Sequence, residues 1–113
     1  MLFTMADIKE IARRTALALA AIKQAVGKAE FSVDLFVSHH IEELDATYWQ
    51  QHCGAVHPCS EQVLAILELR SHWGQEGDGL DVFDFTLPGE VTDYVISVRF
   101  DDDGAVEDIS MES

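Results

Sequence analysis

Between His39 and Cys59 the chain collects side chains that move protons or hold a divalent ion: His39, His40, Glu42, Glu43, His52, Cys53, His57 and Cys59. The run His39-His40-Ile41-Glu42-Glu43 has the composition of a proton-transfer or metal cluster, yet it is neither H-E-x-x-H nor its inverted form. If both histidines continue a strand they point to opposite faces, so a single pocket receives one of them at most. The competing reading is a solvated or strand-end histidine. Cys53-x3-His57-x-Cys59 offers thiolates and an imidazole to zinc, without the paired C-x2-4-C knuckle of familiar sites. His72 has a suitable type, but a helix begun at Ser60 carries it about 18 Å along the axis from Cys59, too far to share an ion. No metal and no cofactor are expected, and Cys53, His57 and Cys59 are the candidate ligands if one binds. Asp101, Asp103 and Gly104 have part of a calcium loop's spacing, but its first and twelfth positions would be Arg99 and Ser110, where carboxylates are required. A hairpin turn explains the same residues. The chain has no P-loop, no Gly-rich dinucleotide turn and no G-x-S-x-G elbow, and no catalytic residue is assigned.

The elements that must position these groups follow from hydrophobic spacing. Thr4 caps a first helix whose apolar stripe is Ile8, Ile11, Thr15, Leu19, Ile22 and Val26, and Gly27 ends it. Phe31, Val33, Leu35 and Val37 alternate with polar residues, which predicts a half-buried strand. Asp45 caps a short helix carrying Tyr48 and Trp49, closed by Gly54. Ser60 caps a longer one with Val63, Ile66, Leu67 and Trp73 on its face and Gly74 just past its end. Trp49 and Trp73 are expected to turn inward on these helices; anchoring a partner is their alternative role. After a polar loop over 74–79 come three strands, Leu80–Leu87, Val91–Phe100 and Ala105–Met111, turned at Pro88-Gly89 and at Asp101–Gly104. Centring the last turn on Asp102-Asp103 pairs Ile96 with Ile109, Tyr94 with Met111 and Val98 with Glu107; a bulge at Gly104 is the alternative. The expected class is α+β: a mainly antiparallel four-stranded sheet with helices packed on one face, in the order α-β-α-α-β-β-β.

The 113 residues suit a single domain, with 1–28 a basic amphipathic helix and 29–113 an acidic α+β body. Forty-eight per cent apolar and 25% charged residues exclude disorder and coiled coil, and no apolar run reaches the ~20 residues of a membrane span. Two cysteines are too few for a disulfide scaffold. The net charge of −14 is unevenly distributed. Residues 1–28 hold five cations against two acids, net +3; residues 29–113 hold Arg70 and Arg99 against 19 acids, net −17. Such a body repels phosphate backbones and anionic membranes and attracts a basic protein. Glu76, Asp78 and Asp81 are the candidate partner-binding residues. The alternative is that the acids keep the protein soluble. The basic segment reads as a structural helix and not a secretory signal, because Thr15–Ile22 is a short apolar stretch and Asp7 and Glu10 sit badly in an n-region. A cytoplasmic protein with reduced thiols is expected.

The segments Val33–Leu44 with Tyr48-Trp49, Glu68–Gly74, Phe83–Pro88, Thr92–Asp101 and Glu107–Ser113 together resemble a family of small bacterial proteins, the domain of unknown function of the two-thousand-and-four type. The resemblance covers about residues 31–113 and omits the basic helix. It supplies no catalytic residues. By a loose analogy of fold it implies an immunity-protein-like role in the cytoplasm, with protein binding. The leading expectation is a non-enzymatic protein-binding module for a basic partner, without nucleic acid or membrane. The runner-up is a small hydrolase or metal-binding protein using the His, Glu and Cys residues between His39 and Cys59.

Overall fold

A computed structural model describes residues 5–28, 32–73 and 81–113. It shows an α+β fold in which four helices precede four strands: α1 (Met5–Gln24), α2 (Val33–Glu43), α3 (Ala46–Cys53), α4 (Ser60–Ala65), β1 (Glu68–Trp73), β2 (Val82–Thr86), β3 (Val95–Phe100) and β4 (Val106–Glu112). The strands form one antiparallel sheet in the order β1-β2-β3-β4. Class, strand number and strand direction are those expected. The element order differs at two places.

The first difference is the segment expected as a strand. Val33, Phe36, Val37 and His40 are its buried residues, the i, i+3, i+4, i+7 spacing of a helix, whereas Leu35 is 60% exposed. Val33, Leu35 and Val37 fit a period of two only if the window stops before His40. The second difference is the helix expected over 60–73. It ends at Ala65, and Glu68–Trp73 is an edge strand paired with β2 through Leu69 opposite Phe85 and His72 opposite Phe83. Its cap is Cys59 and not Ser60: the Gln62 side chain accepts from the Cys59 N–H at 2.9 Å, while the thiol faces the N3 backbone in a capping box. Helix α3 forms as expected, with the Asp45 carboxylate accepting from Tyr48 N–H at 3.0 Å and Gly54 closing it at φ 73°.

The buried face of the sheet holds Phe83 and Phe85 of β2, Ile96, Val98 and Phe100 of β3 and Ile109 of β4. Ala18 and Ile22 of α1, Phe36 of α2, Trp49 of α3 and Val63 of α4 pack into the same cluster. The expected α1 stripe packs inward at Ile11, Leu19, Ile22 and Val26, with Ala18 and Ala25 buried beside it, whereas Ile8 is 52% exposed. Thr4, its expected cap, lies outside the described residues, as does Phe31. The β3–β4 register also differs. Ile96 faces Met111, Val98 faces Ile109 and Arg99 faces Asp108. The ladder shifts between Arg99, opposite Asp108, and Phe100, opposite Val106, so the irregularity falls at Glu107 and not at Gly104.

The two charge classes meet at this hairpin. Arg13 and Arg14 of α1 both donate to Glu10, with Nη2 of Arg13 and Nε of Arg14 each 2.6 Å from Oε2, and hold its carboxyl down at about 2. The Arg14 guanidinium carbon lies 5.3 Å from the centre of the Phe100 ring. Gly104, at φ 80°, is so close beneath both guanidiniums that a Cβ there would sit 2.6 Å from Nη2 of Arg13. The basic helix therefore lies against the turn of its own acidic hairpin.

Candidate functional site

His39 and His40 fall on a helix and have different surroundings. His40 is 1% exposed. Its Nδ1 is 2.7 Å from the Phe36 carbonyl, which can only accept, so Nδ1 carries the proton and donates. Nε2 then accepts from the Thr92 hydroxyl at 2.9 Å, and that hydroxyl accepts from Tyr94 N–H at 3.2 Å. Burial pushes the His40 pKa below its ordinary value. A neutral ring with both nitrogens engaged fastens the loop after β2 to α2; it is not poised to accept a substrate proton. Tyr48 does the same from α3, donating its hydroxyl to the Pro88 carbonyl at 2.8 Å, and burial raises its pKa to about 12. His39, half-buried, meets Tyr94 edge to face at 5.1 Å.

The other candidates are dispersed into local roles. His52 stacks obliquely on Tyr48 at 4.4 Å, and His72 on Phe83 at 5.3 Å. The earlier separation of His72 from Cys59 along one helix does not apply, because that helix ends at Ala65. Cys53 donates its thiol to the Gln62 carbonyl at 3.6 Å, and burial pushes its pKa up, disfavouring the thiolate. Cys59 is the α4 cap and His57 is exposed. Among the described residues no three His, Cys, Asp or Glu side chains converge in a way that could hold a metal. Asp101 serves its turn, with Oδ1 accepting from Asp103 N–H at 2.9 Å and Ala105 N–H at 3.0 Å.

The second face of the sheet has a different character. Its residues are Ser71, Asp84, Ser97 and Ser110 in one register row and Trp73, Val82, Arg99 and Asp108 in the next. Asp84 ties the rows together, accepting from Ser97 Oγ at 2.6 Å and from Trp73 Nε1 at 3.4 Å. At the end of this face nearest the β3–β4 turn lies a cleft of about 270 Å³ between Trp73, Val82, the Arg99 side chain and the carboxylates of Asp81, Asp101, Asp102 and Glu107. Val82 is buried there yet stands apart from the hydrophobic core, and Trp73 is 48% exposed. Trp49 is a core residue as expected, but Trp73 is not. No simple period of two announced it, because the register shift between Leu69 and Ser71 puts Leu69 on the core face and Ser71 and Trp73 on the other. Asp81, a candidate from charge alone, lines this cleft; Glu76 and Asp78 lie outside the described residues.

Among the described residues no helix is long and apolar enough to cross a membrane. Comparison with protein-family models, with curated proteins and with solved structures finds no match to this chain.

Proposed function

We propose that this chain is a non-enzymatic module that binds a basic protein, working in the cytoplasm. The observation that carries the reading is the charge: 19 acids against two arginines over residues 29–113, a net of −17. A field of that sign raises the encounter rate with a cationic protein and lowers it with nucleic acid or an anionic bilayer. Among the described residues His40 is engaged at both nitrogens, Cys53 and Cys59 serve local contacts and no three ligating side chains converge, which disfavours the hydrolase or metal reading. The test is affinity capture from the native cell at low salt, followed by association kinetics of the captured protein across a salt series. A partner with net positive charge, whose association rate falls steeply with added salt, supports the reading. A neutral or acidic partner, or a rate indifferent to salt, overturns it.

A further inference from the structure

We infer that the cleft beside Trp73, on the sheet face opposite the helices, is where an arginine-bearing segment of a basic protein docks. This deepens the reading above and rests on it. Among the described residues the buried apolar helical side chains all join the cluster on the other face, so no described helix covers this one. It nevertheless carries a large aromatic side chain nearly half open to solvent, with its indole N–H directed to Asp84 and Val82 at the floor. An apolar floor, an exposed aromatic wall and a rim of carboxylates are complementary to one common side chain. A guanidinium stacks on an indole and pairs with carboxylates through its planar fork, and its aliphatic stem covers apolar surface.

The carboxylates divide by availability. Asp101 is committed to its turn, and Arg99 lines the same cleft, so four carboxylates there face one resident cation and the lining stays net acidic. Asp102 and Glu107 are exposed on the rim and are the ones placed to meet an incoming cation. A second copy of the chain would bring the same acids to the same face, and two bodies of net −14 repel. Phosphate ligands are disfavoured for the same reason. Charge complementarity selects a basic segment.

The probe is a fluorescein-labelled nona-arginine peptide, titrated with the full chain at about 20 mM ionic strength and followed by anisotropy, where surface charges are little screened. Trp73→Ala is expected to weaken binding roughly 3- to 30-fold, the range of a cation over an indole. Asp102→Asn with Glu107→Gln, both exposed and expected to fold, should weaken it comparably. The control is Glu42→Gln with Glu43→Gln, which removes the same charge from α2 and should change affinity by less than about 3-fold if the cleft is the site. Equal weakening by the control pair means that overall charge binds the peptide: the cleft is then wrong and the basic-partner reading stands. Absence of peptide binding to the wild type at low salt overturns both. Sedimentation showing a dimer that Trp73→Ala dissociates, and that excludes the peptide, assigns the face to a second copy and overturns the inference.

Discussion

A histidine with 1% of its surface exposed, donating through one ring nitrogen and accepting through the other, belongs to the structure of the β2–β3 loop and not to chemistry. Its pKa is lowered first by burial, which disfavours the charged ring, and further by His39, while the Phe36 carbonyl and Glu43 act the other way. The folded state therefore binds this proton less readily than the unfolded chain, whose histidines titrate near 6.5. Stability from the neutral ring is fully present above about 6.5 and is lost as pH falls below that value toward the folded pKa. Urea midpoints measured between pH 7.5 and 5 should decline for the wild type and decline less for His40→Gln; parallel curves would show that His40 is not the titrating group. Thr92→Val leaves Nε2 buried without its donor and Tyr94 N–H without its acceptor, and should cost about 1–3 kcal/mol at pH 7.5. Position 92 is 52 residues away in sequence, which is why no local spacing announced the pair.

The sheet's two faces make unequal demands on adjacent residues of one strand. Ile96 is 1% exposed within the core cluster, so Ile96→Ala should cost about 2–5 kcal/mol in chemical denaturation. Val95, 7% exposed on the face without helices, loses roughly two methylene equivalents on truncation and should cost about 1–2 kcal/mol. Equal large losses would mean that both faces are covered. Gly104→Ala should destabilise by about 1–2 kcal/mol, mostly through its φ of 80°, because the neighbouring Arg13 guanidinium can swing aside. What was legible at this scale was what local chemistry decides: Asp45 and Gly54 bounding α3, the Asp101–Gly104 turn, and the alternation that marks the last three strands. The two exchanged elements were decided elsewhere. Residues 33–37 satisfy both periods, and only the continuation to His40 and Ile41 selects the helix. Residues 66–73 have a helical-looking apolar set, but pairing with Phe83 and Phe85 draws Glu68–Trp73 into the sheet, a tertiary choice that propensity does not encode. The site suffered most from that exchange, since it turned Trp73 from an expected core residue into an exposed one.

For the molecule as a whole, the same charges act on folding and on association with opposite consequences. Nineteen acids held close together repel one another in the folded state more than in the expanded chain, and only part of this is offset by the arginines of α1 at the acidic hairpin. Salt shortens the reach of that repulsion from about 30 Å at 0.01 M to about 3 Å at 1 M. The thermal midpoint should therefore rise as sodium chloride is added, measured by circular dichroism at pH 7.5. A midpoint that falls with salt would mean that attractive pairs, such as Arg13 and Arg14 with the acidic body, outweigh the repulsion. Association with a basic protein should move the other way, because the field that strains the fold is the one that draws the partner in. Neutralising Glu76, Asp78 and Asp81 to the corresponding amides removes three of the twelve acids in residues 71–113. That variant should associate more slowly with the captured partner while dissociating at nearly the same rate. Stopped-flow or surface-plasmon kinetics at low salt distinguish the outcomes. Unchanged association would leave these three carboxylates a solubilising role alone, and faster dissociation without slower association would make them direct contacts and not sources of a steering field.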